Sequence, residues 1–565
     1  MSKSLNIFTE RLNNIYKEKI SKEQIDKFLQ FIKSNLTEKQ QPESYWNEKD
    51  IALIIYGDSI KNNNEKPLVT LKKFAKKYLT DKINTIHILP FFPYSSDDGF
   101  SVIDFEQVNP ELGDWRDIEN ISKEFNLMTD LVINHVSSKS RWFQNYLKGE
   151  GDGFNYFIEV SPDTDLSKVV RPRSLPLLTA FETKNGKKYL WTTFSADQID
   201  LNFANPEVLL RFLQILYLYI QKGAHIIRLD AIAFLWKQIG TTCLHLPQTH
   251  EIVKLMRDFV EAVAPGVIIL TETNVPNKEN LSYFGNNDEA HMVYQFSLPP
   301  LLLHALYSGN GTYITKWASY LPDLPDDCTF FNFTSSHDGI GVRPLEGLLP
   351  ENEKAKLFAD IKKSGGLIST KTNSDGTESP YELNITYFDA LRRTVKGEDA
   401  LHEQRFICSQ IIMLEMKGIP AFYIHSLLGS ENYYRGVEKT GMARTINREK
   451  LQYNKLIDEL NSDTVRGRVF SKLLNLIFIR KQTKAFHPSA KQIIIDIGND
   501  FFVVERVFDS TNKILCVSNL TSIDKNINLP EKYLSYNYDI IENKKYTENK
   551  ILLKPYQTVW LINKK

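Results

Sequence analysis

Residues 221–230 read QKGAHIIRLD, and the rest of the chain is organised around them. They end a helical pattern, pass through a short apolar strand and stop on a carboxylate. Because alternate residues of a strand point to the same side, Arg228 and Asp230 are predicted to project together from its carboxyl end. Taken alone, the pair is more typical of a turn-capping aspartate with its salt-bridge partner.

Two later strands end on acidic residues in the same way. Residues 267–273, VIILTET, carry Glu272, and residues 328–339, CTFFNFTSSHDG, carry Asp338 after an apolar run. Helical patterns separate the strands, as in a parallel (β/α)8 barrel, and such barrels keep their chemistry at the carboxyl ends of the strands. We therefore predict an α/β fold, a (β/α)8 TIM barrel, with Asp230, Glu272 and Asp338 at one face.

Three converging carboxylates favour chemistry on a sugar bond. Retaining glycosyl transfer needs a nucleophile and a proton donor about 5–5.5 Å apart. We assign Asp230 as the nucleophile, because Arg228 keeps its carboxylate charged. Glu272 is assigned as the proton donor, which requires a raised pKa. Asp338 is expected to bind ring hydroxyls and to favour the positively charged transition state.

Composition limits the partners and the compartment. Lys plus Arg equals Asp plus Glu, at 69 each, so no overall charge attracts nucleic acid or an anionic membrane. The four cysteines show no CxxC or pairing pattern, which favours a reducing, cytoplasmic location. The N-terminus is charged too early for a secretion signal, and no run approaches the ~18 apolar residues of a membrane span. We expect small-molecule substrates, no cofactor or metal, and a monomer or homodimer.

Changes in periodicity divide the 565 residues into five predicted regions. These are an N-terminal helical extension, a catalytic barrel, an inserted domain after the third strand, a second insertion after the seventh strand, and a C-terminal antiparallel β domain. The C-terminal domain is expected to contain the strand runs QIIIDIG, FFVVERVF, KILCVSNL and ILLKPYQTVWLI. The N-terminal extension spans residues 1–49, and the barrel spans residues 50–136, 203–342 and 401–485. The inserted domain spans residues 137–202, the second insertion residues 343–400, and the C-terminal domain residues 486–565.

The ordered strand-end motifs, including DLVINHV at residues 130–136, resemble the four signature regions of the α-amylase superfamily. The stretches ILPFFPY, SDDGFSVIDF, HDGIGV and INR, with a loop containing RPR, resemble the sucrose-phosphorylase-like members. This resemblance implies a retaining enzyme that transfers a glucosyl group to phosphate instead of water.

The resemblance also implies a glucose site at the mouth of the barrel. Asp97 and Phe100 match residues that hold the far end of the glucose ring in sucrose-phosphorylase-like members, and Arg448 matches a ring-anchoring arginine. His135 and His337 are expected to donate hydrogen bonds to hydroxyls or to the developing charge, although a histidine at a strand end can also be a hydrogen-bonded core residue. The predicted glucose-binding residues are Asp97, Phe100, His135, Arg228, His337 and Arg448.

A second set of residues is predicted to bind phosphate and the leaving group. Arg171 and Arg173 lie beside prolines that stiffen their loop; such arginines are often solvated, but here they form a candidate anion clamp. The resemblance implies a phosphate role for Arg173 and Tyr381. Where sucrose phosphorylases typically have Tyr, His and Gln, this chain has Phe234, Asn274 and Glu382. The predicted acceptor set is Arg171, Arg173, Arg343, Tyr381, Glu382 and Asn274.

The stretches RLDAIAFLWK, HLPQTHE, TETNVP and SSHDGIGVRPLEG most resemble the glucosylglycerate phosphorylase branch. The expected reaction converts glucosylglycerate and phosphate to α-D-glucose 1-phosphate and D-glycerate through a covalent glucosyl-enzyme. The extra arginine Arg343 fits a carboxylate-bearing leaving group, although it could instead pair with Glu346 alone.

Two alternatives remain open, and a third, a catalytically inactive barrel used for binding, is not favoured because the sequence shows neither of the features that it predicts. Sucrose, sucrose 6'-phosphate or glucosylglycerol could be the phosphorylase substrate. An α-glucosidase or transglucosylase of the same fold would use water or a sugar as the acceptor. A catalytically inactive barrel used for binding would be expected to lack one of the acids or to carry an N-terminal membrane helix.

Overall fold

Eight parallel strands close into a barrel in the computed structural model, which describes residues 2–373, 377–547 and 550–564. Each strand pairs with its neighbours in chain order, and the eighth pairs with the first. Nearly all of their residues are buried, as expected for parallel strands covered on the outside by helices. The strands are β1 (Ala52–Ile55), β2 (Thr85–Ile88), β3 (Asn126–Val132), β4 (Ala224–Asp230), β5 (Ile268–Thr271), β6 (Met292–Tyr294), β7 (Thr329–Phe333) and β8 (Ile419–Tyr423).

Helices alternate with the strands, so the predicted (β/α)8 barrel is confirmed. The helix before β4 begins as the sequence indicates, because the Asn205 side chain accepts a hydrogen bond from the Glu207 N–H at 3.0 Å and Pro206 occupies the first turn. After β5 the chain forms a helix of 5 residues instead of a full-length one. The main outer helices are Pro67–Tyr78, Trp115–Ser122, Pro206–Gln221, Pro247–Val263, Asn277–Leu281, Leu298–Ser308, His402–Glu415 and Val465–Lys481.

Two helices at the N-terminus, Ser2–Tyr16 and Lys22–Asn35, pack against the barrel. Phe8 and Leu12 are buried on the inner face of the first helix. Arg11 donates to the Asp258 carboxylate at 2.9 Å, which ties this helix to the helix that precedes β5.

The insertion after β3 is built from short antiparallel pairs and a helix. Residues His135–Ser137 pair with Gln198–Asp200, so the chain returns to the barrel mouth next to His135. Helix Arg141–Lys148 and the hairpin Leu178–Thr183 with Gly186–Trp191 fill the space between them.

The insertion after β7 also contributes regular structure. Helix Glu351–Lys363 precedes a sheet whose strands, among the described residues, are Ile340–Gly341, Glu378–Asn384 and Leu367–Thr372. The first of these strands starts two residues after Asp338 and pairs with the middle strand, which therefore brings Tyr381 and Glu382 to the barrel mouth. The insertion expected after the seventh strand thus contains regular structure that positions the predicted residues Tyr381 and Glu382.

The C-terminal antiparallel β domain is confirmed, but the run ILLKPYQTVWLI is two strands instead of the one predicted. Lys550–Leu553 pairs with Lys525–Asn528, whereas Thr558–Ile562 joins the larger sheet. The break falls at the turn that contains Pro555 and Tyr556, where Tyr556 adopts left-handed backbone at φ 56°. In the described part of the chain the larger sheet has the order Lys491–Ile494, Phe501–Val507, Lys513–Asn519, Thr558–Ile562, Tyr538–Asp539, Lys544–Lys545. The division of the chain into five regions stays a prediction.

Candidate active site

Arg228 lies between two carboxylates at the carboxyl ends of neighbouring strands. The register of β3 against β4 sets Asp130 beside Arg228. Arg228 Nη1 donates a hydrogen bond to Asp230 Oδ1 at 2.7 Å and another to Asp130. Its Nη2 lies 4.0 Å from Glu272 Oε2. Arg228 and Asp230 therefore point to the same side of β4, as the alternation of the strand requires.

Asp130 accepts a hydrogen bond from Arg228 and is itself paired with His87. The His87 Nε2 atom lies 2.7 Å from Asp130 Oδ2, and both side chains are buried. Burial opposes the ionisation of Asp130, but Arg228 and His87 lower its pKa below the ordinary value. The charged Asp130 fixes the guanidinium of Arg228 in the orientation that serves Asp230.

Glu272 follows β5 by one residue and faces the same space as Asp230. The backbone N–H of Ala231 donates to Glu272 Oε2 at 3.0 Å, and Ala231 has left-handed backbone at φ 51°. Burial raises the pKa of Glu272, and the charge of Asp338 raises it further. Burial also raises the pKa of Asp230, whereas Arg228 acts against that rise.

The two carboxyl groups share a single environment, so their protonation is linked. Arg228 donates directly to Asp230 but remains 4.0 Å from Glu272. A charge-assisted hydrogen bond at 2.7 Å favours the ionised form of its acceptor. The negative charge therefore belongs on Asp230 and the proton on Glu272.

Asp338, in the loop after β7, is surrounded by cations. Its Oδ1 lies 2.6 Å from Arg444 Nη1 and 3.9 Å from Arg448 Nη2. Although burial acts in the opposite direction, the guanidinium groups of Arg444 and Arg448 hold the pKa of Asp338 below its ordinary value. The neighbouring His337 stacks on Phe100 with ring centres 4.7 Å apart, and burial lowers its pKa well below the usual range. The site thus contains an ionised carboxylate beside a neutral imidazole.

The loop with sequence SDDGF forms a tight turn that aims its side chains into the mouth. Asp97, Asp98 and Gly99 have positive φ angles of 53°, 50° and 113°. A side chain at Gly99 would bring its Cβ within 2.6 Å of the Pro90 carbonyl oxygen, so the close approach requires glycine. Arg448 Nη1 donates to Asp98 Oδ2 at 2.7 Å and anchors this turn.

His135 is held at the edge of the insertion that follows β3. Its Nε2 lies 2.8 Å from the Phe100 carbonyl oxygen and 3.1 Å from Gln198 Nε2. Burial lowers the pKa of His135. A neutral His135 has one ring N–H, and the contact at 2.8 Å places it on Nε2, where the Phe100 carbonyl oxygen accepts it.

A single cavity brings most of the predicted residues together. Arg228 and Arg448 are buried beside it, whereas Arg171 and Arg343 do not line it. Of the residues predicted from sequence, the lining contains Asp97, Phe100, His135, Arg173, Asp230, Glu272, Asn274, His337, Asp338, Tyr381 and Glu382.

The acceptor candidates come from loops and insertions. Asn274 packs against Gly341, where a Cβ would lie 2.3 Å from Asn274 Oδ1. Burial raises the pKa of Tyr381 and the charge of Glu382 raises it further, whereas the charges of Arg173 and Arg343 oppose the rise.

Arg343 is buried and weakly paired. Its Nε lies 3.7 Å from Glu346 Oε1, which is beyond hydrogen-bond distance. No hydrogen bond to the Arg343 side chain occurs among the residues that the structure describes. Both interpretations of Arg343, as a partner of Glu346 or as an anion ligand, are compatible with this geometry.

Sequence reasoning missed Arg444, which lines the cavity and contacts two carboxylates. Arg444 Nε donates to Glu382 Oε2 at 2.9 Å, its Nη2 donates to Glu382 Oε1, and its Nη1 lies 2.6 Å from Asp338 Oδ1. A signal was available, because Arg444 precedes Arg448 by four residues, a spacing that puts two side chains on one side of a helical turn.

A buried lysine was also missed. Lys237 Nζ lies 2.7 Å from Asp200 Oδ2 and donates to Asn134 Oδ1 at 2.7 Å. Burial lowers the pKa of Lys237. Because lysines are rarely buried, nothing in the sequence around Lys237 indicated that it would be.

The cavity is also lined by Phe194, Gln198, Ala231, Ala233, Phe234, Thr273 and Val275.

Within residues 2–373, 377–547 and 550–564 there is no group of three or more His, Cys, Asp or Glu side chains placed to hold a metal ion. None of the helices described is both long and apolar enough to cross a membrane.

Comparisons with known proteins agree with the barrel and its strand-end acids. Residues 54–338 match the model of the α-amylase catalytic domain. The chain is 48% identical over 483 residues to glucosylglycerate phosphorylase of Spirochaeta thermophila, covering 85% of this chain and 82% of that protein. It is 46% identical over 525 residues to glucosylglycerate phosphorylase of Escherichia coli K12, covering 92% and 93%.

A solved structure is similar over most of its length. The crystal structure of sucrose 6F-phosphate phosphorylase from Thermoanaerobacter thermosaccharolyticum superposes with a TM-score of 0.73 and 26% sequence identity, covering 84% of this chain and 94% of that one. The similarity includes both the barrel and regions outside it.

Proposed function

Because the chain belongs to the α-amylase family, we propose that its cavity is the active site of a retaining glucosylglycerate phosphorylase. The enzyme transfers a glucosyl group from glucosylglycerate to phosphate and releases α-D-glucose 1-phosphate and D-glycerate. The observation that carries this proposal is the hydrogen bond from Arg228 to Asp230, which favours the charged form of Asp230, with Glu272 in the same arginine-bordered cavity. Identity of 46–48% to two glucosylglycerate phosphorylases supports the substrate.

In the first step, a carboxylate oxygen of Asp230 attacks the anomeric carbon while Glu272 gives its proton to the glycerate oxygen. The bond between the anomeric carbon and that oxygen breaks, and an ester to Asp230 forms. The charged Asp338 favours the positive transition state, and neutral His337 is proposed to donate a hydrogen bond to the sugar, whereas His135 lines the cavity with its N–H directed at the Phe100 carbonyl oxygen.

In the second step, an oxygen of hydrogen phosphate attacks the same carbon, the ester to Asp230 breaks, and the proton of that phosphate passes to Glu272, which restores the acid for the next turnover. Two inversions give an α-product. Phosphate is already an anion, so it needs little help from a base, but it must approach two carboxylates. Arg173 and Tyr381, which line the cavity, are proposed to supply the necessary donors together with Arg171 and Arg343, which do not line it.

The leaving group distinguishes this enzyme from other phosphorylases. D-Glycerate carries a carboxylate, which a guanidinium can bind through two parallel hydrogen bonds. The buried and weakly paired Arg343 is the proposed partner, and Asn274 and Glu382 are proposed to contact the glycerate hydroxyls.

The test uses the purified protein with glucosylglycerate in the presence and absence of inorganic phosphate. We expect glucose 1-phosphate to appear in phosphate and little free glucose to appear without it. Release of glucose at the same rate in both conditions would identify a hydrolase. Faster phosphorolysis of sucrose, sucrose 6'-phosphate or glucosylglycerol would reassign the leaving group.

We also propose a cytoplasmic location, which the four buried and unpaired cysteines support. The assembly as a monomer or homodimer stays a prediction that light scattering would test.

A further inference from the structure

Arg444 uses all three of its nitrogen positions on two carboxylates in the cavity. Its Nε and Nη2 form a two-pronged pair with Glu382, and its Nη1 reaches Asp338. Fork-shaped pairing of this kind is among the stronger charge-assisted interactions. All three side chains line the cavity, so this bridge faces the substrate.

The charge of Glu382 raises a difficulty for the proposed reaction. Its side chain is 2% exposed and lies on the acceptor side, where phosphate and glycerate would both have to enter as anions. An unpaired buried carboxylate would repel each of them. Arg444 binds both Glu382 oxygens through its Nε and Nη2, so a positive charge, which Asp338 shares, offsets the Glu382 charge on the acceptor side.

We propose that Arg444 is a specificity-determining residue that neutralises Glu382 and so admits anionic acceptors. Through its third contact it also keeps Asp338 ionised and in position, which links the acceptor side of the cavity to the donor side. The inference rests on the proposed phosphorylase function.

A purely structural role for Arg444 makes different predictions. If it only fixed the loop that leaves β8, its removal would lower transfer to every acceptor in the same proportion. If it balances charge, the loss depends on the charge of the acceptor, and removing the Glu382 charge offsets it.

The experiment uses α-glucosyl fluoride as the donor, because its leaving group is neither glycerate nor dependent on proton donation. The acceptors are phosphate and D-glycerate, which are anions, and glycerol and water, which are neutral. The variants are Arg444→Gln, Arg444→Lys, Glu382→Gln and the double variant Arg444→Gln/Glu382→Gln. Arg392→Gln is the matched control, because Arg392 also bridges two carboxylates, Asp389 and Glu431, but outside the cavity.

For Arg444→Gln we expect kcat/KM toward phosphate and glycerate to fall roughly 100-fold, and toward glycerol and water by less than about 10-fold. The double variant should recover at least about 10-fold of the loss with phosphate. Arg444→Lys keeps the charge but not the fork, so its selectivity should lie between those of Arg444→Gln and the wild type. Arg392→Gln should stay within about two-fold for every acceptor.

Equal losses with all acceptors, or a double variant no better than Arg444→Gln, would overturn the inference. Should Arg444→Gln fail to fold, Glu382→Gln decides the question, because an unbalanced Arg444 should then raise the preference for phosphate over glycerol. An unchanged preference would also count against charge balancing. If wild-type enzyme transfers glucosyl groups but gives no glucose 1-phosphate, the proposed function fails, while the glycerate-to-glycerol ratio still tests Arg444.

Discussion

The two halves of the cavity are built in different ways. The donor half, with Arg228, Asp230 and Glu272, lies on or directly after β4 and β5, where the register of parallel strands sets the positions of the side chains. The acceptor half takes Arg173 from one insertion and Tyr381 from the other. Backbone hydrogen bonds of the barrel therefore determine the donor half, and contacts between loops determine the acceptor half.

This difference separates chemistry from selectivity. A barrel strand cannot shift without breaking its ladder, so the distance between nucleophile and proton donor is protected. Loops exchange partners more easily and carry much of the variation in function on a constant scaffold. We expect donor-half substitutions to abolish turnover, and acceptor-half substitutions to redirect it.

The largest effect is expected from Asp230→Ala. No other carboxylate can reach the anomeric carbon from the same position, so turnover of glucosylglycerate should fall at least about 10⁴-fold. The measurement is the rate of glucose 1-phosphate formation, with mass spectrometry of the protein after exposure to glucosyl fluoride. A glucosyl adduct on the variant, or residual activity above about one per cent, would show that another group is the nucleophile.

Glu272→Gln should give the next largest effect, and one that depends on the donor. We expect a loss of about 10²–10⁴-fold with glucosylglycerate, which needs a proton on its leaving oxygen. With glucosyl fluoride the loss should be much smaller, because fluoride leaves without that proton.

The pH profile gives an independent test of Glu272. Because burial raises the pKa of Glu272, the wild-type enzyme should keep the acid form to higher pH than an ordinary glutamate and lose activity as that proton is removed. The alkaline limb should vanish in Glu272→Gln. Equal losses with both donors, or an unchanged alkaline limb, would mean that Glu272 is not the proton donor.

The difference between the halves also explains what the sequence could predict. Alternation along β4 and the position of Glu272 after β5 follow from short-range periodicity, so the strand-end acids could be assigned before the structure was known. The bridge from Arg444 to Glu382 joins residues 62 positions apart, one in the segment that follows β8 and the other in the strand Glu378–Asn384. No local pattern records such a contact.

Two further misses have different causes. Lys237 is buried with Asp200, from the end of the first insertion, as its counter-charge, so a long-range contact overrides the local preference. The C-terminal run breaks into two strands at Pro555 and Tyr556, where the proline was a local signal for the break and Tyr556 has a left-handed backbone that is rare for a tyrosine.

Arg343→Ala tests whether the acceptor half of the cavity determines which leaving group is preferred. In synthesis from glucose 1-phosphate, the preference for glycerate over glycerol should fall roughly 10-fold or more, since a paired guanidinium is lost. Formation of the glucosyl-enzyme from glucosyl fluoride should stay within a few-fold. Glu346→Gln is the matched control, because Glu346 is the acidic residue facing Arg343. Equal effects of the two variants, or full selectivity without Arg343, would mean that Arg343 pairs with Glu346 and does not meet substrate.

The smallest effect on activity is expected from Glu415→Gln. This variant separates the pH dependence of activity, which comes from the donor half of the cavity, from the pH dependence of the stability of the fold. Glu415 ends the helix His402–Glu415 and is buried against the C-terminal domain, where Trp560 Nε1 donates to its Oε1 at 2.7 Å. Its Oε2 finds no hydrogen-bond partner in the described residues. Burial raises the pKa of Glu415 to about 8, although Trp560 opposes the rise.

In the unfolded chain this carboxyl loses its proton near pH ~4.3. Between that pH and about 8 the folded protein therefore binds more protons than the unfolded one, so the free energy of unfolding falls as the pH rises and levels off above the folded pKa. The decline is of the order of a few kcal/mol.

Glutamine stays neutral and keeps an oxygen for Trp560, so in urea unfolding Glu415→Gln should lose less stability between pH 5 and 9 than the wild type. Its turnover at neutral pH should remain within about two-fold. Glu438→Gln, at an exposed helical position, should follow the wild type. If the free energy of unfolding declines in parallel in the wild type and in Glu415→Gln, the carboxyl of Glu415 is ionised in the folded protein. This variant could then no longer show whether activity lost at alkaline pH comes from Glu272 or from reduced stability.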